Sequence, residues 1–352
     1  MSDFSQVVVV SPTRAEDGPL KSVISEMPGC SVARFDSEGL SPDLAVARAI
    51  TYFTVIFKSG NPKLVVLLGD RYETHAAALA AHFLRIPIAH IHGGETTTGA
   101  FDDALRHGIT HMAGRSGLHF VATIAAQHAV ARMLNWRCPE SSGDVSWYGP
   151  PNTYLVGAPG LDTIAQGSAT RGKKGWREIM GVKTIVVSYY PETCSPDCGL
   201  ANLESMIKAL VKYTGDHAVF FSRVNNDPGS DAIEDGINAF IKTYPTSASW
   251  ITPNTREQYL HLLEHAAVAV GNSSSLVIEC PWIGVPSVLV GLRQDGRPMA
   301  NSVFQSNYGS VTETEAAINS AMVFTKAFDP IYQGGAAPNI ARVVREWLDE
   351  KA

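Results

Sequence analysis

Between Leu64 and His107 the chain passes twice through the same pattern: a wholly apolar strand that ends in glycine and ionisable side chains. The first run is Leu64-Val65-Val66-Leu67-Leu68 followed by Gly69-Asp70-Arg71, and an alanine-rich helix comes next. The second is Pro87-Ile88-Ala89-His90-Ile91 followed by His92-Gly93-Gly94-Glu95. Strands with no polar alternation belong to a parallel sheet covered on both faces. Ligands of such sheets bind beyond the carboxyl ends of the strands, where these ionisable groups collect. A carboxylate, an imidazole and a guanidinium at that edge point to acid–base chemistry on an anionic substrate. Helix capping by Asp70 and Glu95 is the plainer reading of the same residues.

The pattern repeats along the chain. Strands are expected at Val7–Val10, near Ser31–Phe35, at Leu118–Ala122 and at Thr153–Val156. Helices are expected from about Leu20, from Ser41 to Phe57, from Tyr72 to Leu84, from Asp102 to Met112 and from Thr123 to Leu134. A second series begins at Thr184, with strands at Ile185–Ser188, Ala218–Phe221, Trp250–Thr252, Val268–Val270 and Ser287–Val290. Its helices fall around residues 200–213, 230–243, 255–266 and 274–283, and an amphipathic helix closes the chain from Asn339 to Lys351. Alternation of this kind means α/β architecture. The expectation is two Rossmann-like doubly wound domains with a cleft between them. They cover residues 1–167 and 176–337, and residues 338–352 return to the first.

The 352 residues suffice for two cores, and 45% hydrophobic with 18% charged residues is ordinary globular composition. A net charge of −6 argues against a general nucleic-acid binder. No apolar run approaches a membrane span, and no signal peptide opens the chain, so a cytoplasmic protein is expected. The five cysteines form neither a disulfide framework nor a zinc motif.

Two nucleotide motifs fail. The loop after Val10 lacks Gly-x-Gly-x-x-Gly, and Gly167 with Gly172-Lys173 has Lys174 where a P-loop needs Ser or Thr. The first loop offers Arg14 and Glu16, a phosphate or carboxylate grip or simply solvated charge. In the second series, Gly271-Asn272-Ser273-Ser274-Ser275 follows a strand and opens a helix, which suits an anion, or plain serine capping. Glu279 on that helix is placed to accept hydrogen bonds from a ribose. Gly291-Leu292-Arg293-Gln294-Asp295-Gly296-Arg297 adds a glycine-bounded loop with two arginines, and Asn225 lies in a further turn. Together they favour a nucleoside diphosphate.

Thr13-Arg14-Ala15-Glu16, Gly69-Asp70-Arg71-Tyr72-Glu73, His90-Ile91-His92-Gly93-Gly94-Glu95, Asp102-Asp103 with Arg106-His107, Gly157-Ala158-Pro159-Gly160-Leu161-Asp162, Gly271 to Ser275 and Arg293 to Arg297 resemble, in this order, the UDP-N-acetylglucosamine 2-epimerases. The resemblance spans nearly the whole chain and is strongest to the hydrolysing branch of sialic-acid-like sugar pathways. It implies a glycosyltransferase-B type fold and elimination of UDP to a 2-acetamidoglucal. Hydration of that glucal then gives N-acetylmannosamine or a 2,4-diacetamido-trideoxy analogue. By position it assigns Asp70, His92, Glu95, Asp102 and Tyr190 to catalysis. Arg14, Glu16, Arg71, Arg106, Asn225, Ser273, Ser274, Glu279 and Arg297 would bind the substrate. No cofactor or metal is implied, and a homodimer or homotetramer is expected.

Tyr190-Pro191-Glu192-Thr193 departs from the family's His-Pro-Val-Thr. A tyrosine, neutral below a pKa of about 10, cannot bring imidazolium charge to a leaving diphosphate. Glu192 is expected to add unhelpful negative charge there. The chain also carries apparent insertions at Gly114–Gly117 and near residues 138–152. A non-hydrolysing epimerase, a glycosyltransferase and a binding paralogue without turnover remain as alternatives. A metallohydrolase built on His90, His92, His107 and His111 is a further one.

Overall fold

The computed structural model describes residues 4–12, 14–37, 39–136, 152–164, 183–224, 227–251, 256–306, 309–324 and 329–351, the side chains of residues 14–16 excepted. Contacts divide the chain into two compact units. Unit 1 comprises Met1–Thr96, Asp102–Thr163 and Tyr332–Ala352, and unit 2 comprises Thr97–Phe101 and Ile164–Ile331. A division into consecutive stretches makes no provision for Thr97–Phe101.

Unit 1 contains strands β1 (Val7–Val10), β2 (Ser31–Ala33), β3 (Leu64–Leu68), β4 (Ile88–Ile91), β5 (Leu118–Val121) and β6 (Thr153–Leu155). They form one parallel sheet in the order β2-β1-β3-β4-β5-β6. Its helices are α1 (Arg14–Glu26), α2 (Pro42–Gly60), α3 (Tyr72–Phe83), α4 (Asp102–Ala113), α5 (Ile124–Met133) and α11 (Ala336–Glu350). The period-two geometry of a strand sends alternate valines of β1 to opposite faces. Val7 and Val9 join Leu20 and Val23 of α1 and Ile340 and Val344 of α11. Val8 and Val10 join Phe53 and Phe57 of α2, Ala77 of α3 and Ile109 of α4.

The C-terminal helix is anchored by one side chain. Asp162 accepts the backbone N–H of Gly335 at 2.6 Å, of Ala336 at 3.0 Å and of Ala337 at 2.7 Å. Three of the orphan donors that open any helix are thereby satisfied.

Unit 2 contains β7 (Lys183–Ser188), β8 (His217–Ser222), β9 (Ala248–Ile251), β10 (Val268–Gly271), β11 (Ser287–Val290) and β12 (Val303–Ser306). The parallel order is β12-β11-β10-β7-β8-β9, so the strand sequence reverses direction between β7 and β10. In doubly wound sheets that switch point opens a crevice for ligands. Helices α6 (Leu200–Leu210), α7 (Ser230–Thr243), α8 (Arg256–His265), α9 (Glu279–Ile283) and α10 (Val311–Val323) accompany the sheet. Leu203, Met206, Ile233, Ile237 and Ile318 cover one face, against Val187, Phe221 and Val270.

Two parallel six-stranded sheets with flanking helices are the doubly wound pair expected of this chain. Four details differ. Helix α1 starts at Arg14 rather than near Leu20 and takes Pro19 inside it. The expected helix over 274–283 is broken into a 3-10 turn, Ser274–Leu276, and the five-residue α9. Pro281, with no N–H to donate, falls in the first turn of α9, where that lack costs no helical hydrogen bond. Strand β12 and helix α10 were not expected at all. No helix among the described residues is long and apolar enough to cross a membrane.

Candidate active site

In unit 1 the ionisable residues gather beyond β3 and β4. The Arg106 side chain on α4 is only 3% exposed, and its guanidinium forms an ion pair with Asp70. It also donates to the backbone carbonyl of Glu95 at 2.9 Å and to Asp103 Oδ1 at 3.2 Å. One planar fork thus fixes three chain segments, a task that suits arginine. Asp103 further meets His107 Nε2 at 3.2 Å. Asp103 thus shares Arg106 with Asp70. Asp102 sits half-buried in the same first turn.

His92 leaves β4 with a left-handed backbone, φ +66°. Its Nδ1 lies 2.8 Å from Glu95 Oε1, and Glu95 is buried. Left-handed φ at a non-glycine residue costs free energy and tends to persist where function demands it. Gly94 permits the turn: a Cβ there would lie 2.3 Å from the Ala126 carbonyl oxygen. Arg71 reaches the fully buried Glu73 at 3.4 Å, and Glu73 also accepts the Ser37 hydroxyl at 2.5 Å.

His90 plays a different part. It is fully buried, with Nε2 2.9 Å from the Gly69 carbonyl and Nδ1 3.1 Å from Thr110 Oγ1. Burial pushes its pKa down to about 3, so the ring is neutral and braces the β3 turn that carries Asp70. Among the described residues, His90, His92, His107 and His111 do not assemble as a set of metal ligands.

In unit 2 the candidate residues follow β7 and β10, the strands on either side of the switch point. Asn272, just after β10, accepts the Tyr190 N–H at 2.7 Å and donates to the Tyr190 carbonyl at 2.8 Å. This reciprocal pair fixes the backbone after β7. The Arg293 guanidinium lies over the Tyr190 ring, 5.3 Å from its centroid, and 3.9 Å from Asp227 Oδ2. A guanidinium that also faces a carboxylate thus stands beside the Tyr190 ring.

Hydroxyl groups link the strand ends. Ser222 donates to Ser188 at 3.0 Å, and Ser188 meets the Tyr259 hydroxyl at 3.1 Å. Tyr259 meets Ser275 Oγ at 2.7 Å, and Ser275 donates to Ser273 Oγ at 2.9 Å. Ser273 also accepts the Ser275 N–H at 3.3 Å. Burial holds the Tyr259 phenol well above its ordinary range, so it stays a hydroxyl within the chain.

Glu192 is engaged within the protein. Its carboxylate is a buried acceptor for Tyr189 Oη at 3.2 Å, Asn202 Nδ2 at 3.1 Å and the Leu292 N–H at 3.2 Å. Its burial shapes the arginine-bearing loop: Gly291 has φ +85°, and a Cβ there would come 1.8 Å from Glu192 Oε1. Glu279 is likewise engaged, in an ion pair with Arg256. Ser274 opens a three-residue turn, and Arg297 is half-buried at the end of the loop. The segment Thr97–Phe101 is held by the same loops. Thr98 donates its N–H to the Asp295 carbonyl at 3.0 Å and its hydroxyl to Asp295 Oδ2 at 2.9 Å, and the Phe101 N–H reaches Thr193 Oγ1 at 2.9 Å.

Arg14 and Glu16 (as side chains) and Asn225 (altogether) lie outside what the structure describes. Sequence reasoning passed over Asp103, Arg256, Tyr259 and Asn272 as site residues. For Asn272 a signal existed, its place directly after an apolar strand.

The family model described as UDP-N-acetylglucosamine 2-epimerase matches residues 26–345. The chain is 27% identical over 307 residues to the polysialic acid biosynthesis protein P7 of Escherichia coli, covering 85% of this chain and 74% of that protein. It is 32% identical over 263 residues to the hydrolysing UDP-N,N'-diacetylbacillosamine 2-epimerase of Legionella pneumophila, covering 74% and 64%. Among solved structures, the Methanocaldococcus jannaschii UDP-GlcNAc 2-epimerase, crystallised with UDP-GlcNAc and UDP, superposes with a TM-score of 0.74. That match has 14% identity and covers 97% of this chain and 99% of that one. The Neisseria meningitidis UDP-GlcNAc 2-epimerase bound to UDP-GlcNAc gives 0.72, at 15% identity and 98% and 99% coverage. These two structures share the fold. With the family model matched over residues 26–345, this chain belongs to the UDP-N-acetylglucosamine 2-epimerase family.

Proposed function

We propose that the chain is a hydrolysing 2-epimerase that converts UDP-N-acetylglucosamine, or a 2,4-diacetamido-trideoxy analogue, to UDP and the free 2-epimeric sugar. The observation that carries the reading is the cluster built on Arg106. It holds Asp70 and the Glu95 backbone rigidly at the carboxyl ends of two adjacent strands. Proton transfer at a sugar carbon needs such a fixed carboxylate.

In the first step a base removes the proton from C2, the C1–oxygen bond breaks, and UDP departs with that electron pair. A C1–C2 double bond forms. In the second step water supplies hydroxyl to C1 and a proton returns to C2 from the opposite face. Asp70 and Asp102 take the acid–base roles, with the His92–Glu95 pair supporting proton movement. Arg71 and Arg106 position carboxylates and substrate. In unit 2, Ser273, Ser274, Arg297 and Glu279 bind UDP, and Arg14, Glu16 and Asn225 are assigned to substrate by family position. Tyr190 donates a hydrogen bond to the leaving diphosphate, and Arg293 over its ring stabilises the developing charge.

The hydrolysing outcome is supported by relatives from Legionella pneumophila and Campylobacter jejuni, both named as hydrolysing epimerases of diacetylbacillosamine nucleotides. A relative from Neisseria meningitidis named simply as UDP-N-acetylglucosamine 2-epimerase keeps the non-hydrolysing reaction as the second reading. A proton NMR time course in deuterated water separates them. Free UDP with a 2-epimeric sugar deuterated at C2 is expected. Deuterium in a sugar still linked to UDP would assign the non-hydrolysing reaction. UDP binding without turnover of either sugar nucleotide would reject catalysis.

A further inference from the structure

Helix α8 carries a second constellation that the epimerase reading does not use. Leu260 and Leu263 are buried and seat the helix. His261, Glu264 and His265 lie on another part of its surface, with spacings of three and four residues that place all three on one face. One ligand atom from each lies within 4.8 Å of the other two. The imidazole centroids are 4.3 Å apart and the rings inclined at 62°, so they converge rather than stack in parallel.

The tautomer of His265 is set by its neighbour. Its Nδ1 lies 2.7 Å from the His261 carbonyl, which only accepts, so Nδ1 carries the hydrogen and Nε2 keeps its lone pair. Metal-binding histidines are oriented in this way, through a bond from the other ring nitrogen. Glu264 Oε2 stands 3.6 Å from His261 Nδ1. The three residues occupy the last two turns of α8, and the negative end of a helix dipole favours a cation.

We propose that His261, Glu264 and His265 form a binding site for a zinc-class divalent cation. Two imidazoles and one carboxylate suit borderline-soft ions and leave a position for water, whereas calcium or magnesium would ask for an all-oxygen set. Tetrahedral coordination at about 2.05 Å needs donor atoms about 3.3 Å apart. Side-chain rotation at a helix surface supplies that closure, because the backbone is already in place. None of the three residues is assigned to sugar chemistry, and no reaction step is routed through the site.

The test uses the full-length chain without a histidine tag, freed of metal by chelator and dialysis, and titrated with Zn²⁺ by calorimetry and with Co²⁺ by visible absorption. One equivalent per chain is expected. His261→Ala and His265→Ala are each expected to weaken binding at least about tenfold, with Glu264→Gln weakening it less. Melting curves without metal, unchanged by these surface substitutions, establish that the variants fold. Two results overturn the site: no saturable binding by the wild-type chain, or full stoichiometry and affinity in the double variant. The second would place the ion elsewhere, for instance at Cys194 and Cys198.

Discussion

Arg106 and Asp70 form an ion pair in which the guanidinium is almost wholly enclosed while the carboxylate keeps about a quarter of its side chain exposed (3% and 24%). The cation is the structural partner and the anion the one that can reach a ligand. Replacing Arg106 by alanine removes the pair and two further hydrogen bonds, so a stability loss of about 3 kcal/mol is expected. Asp70→Asn keeps the shape and is expected to retain a folded chain while activity falls at least about a hundredfold. Denaturant unfolding together with initial rates of UDP release checks both. Equal activity of Asp70→Asn and wild type would remove Asp70 from the chemistry.

Glu192 offers a prediction that runs against simple electrostatics. If its charge opposed a diphosphate, Glu192→Ala would tighten UDP binding. Because the carboxylate instead holds Leu292, Asn202 and Tyr189, alanine is expected to loosen the Gly291–Arg297 loop. UDP affinity should then fall, by about tenfold for a loss near 1.4 kcal/mol. Calorimetric titration with UDP decides the sign.

The hydroxyl chain predicts a further loss. Tyr259→Phe leaves Ser188 and Ser275 each short of a partner while preserving the ring. A cost of about 1–3 kcal/mol is expected, shared between stability and UDP binding. A variant that melts and binds UDP like wild type would show that the chain is dispensable.

His90 makes stability pH-dependent. Its folded pKa of about 3 lies below the ordinary 6.5 because burial disfavours the imidazolium. Below pH 6.5 the unfolded chain therefore takes up a proton that the folded chain refuses. Stability is complete above pH 6.5 and falls as the pH drops towards 3, on the order of 1 kcal/mol per unit. His119, held low by burial as well, adds to the slope in the same direction. Urea unfolding between pH 7 and 5, above the carboxylate range, should show this decline, and His90→Gln should flatten it. A flat wild-type profile would contradict the neutral buried ring.

Much of this architecture is readable in the sequence because parallel strands are buried on both faces and announce themselves as apolar runs. Strand β12 escaped because it is an edge, paired only with β11, and mixes buried with exposed residues. Helix α10 escaped although Ser310 and Glu313 have the spacing of a capping pair, and the Ser310 side chain does accept the Glu313 N–H. Candidate site residues stood out in the sequence where they follow strands, as Asp70, His92 and Ser273 do. Their partnerships were not. Glu192 turns towards a residue 100 positions away, and Glu279 is taken by Arg256, 23 positions before it. Such choices are settled by tertiary packing, and no local pattern records them.

The return of α11 to the first sheet sets an order of events at the ribosome. One face of that sheet, built from β1, β3, β4 and β5, lacks Ile340, Val344 and Leu348 until residues 340–348 have been synthesised. Residues 164–331, which make up nearly all of the other unit, are by then complete. With translation adding about 5–20 residues each second, the half synthesised first waits on the order of ten to forty seconds for its final layer. The nascent N-terminal sheet is thus the part of this chain that a chaperone would have most reason to shield.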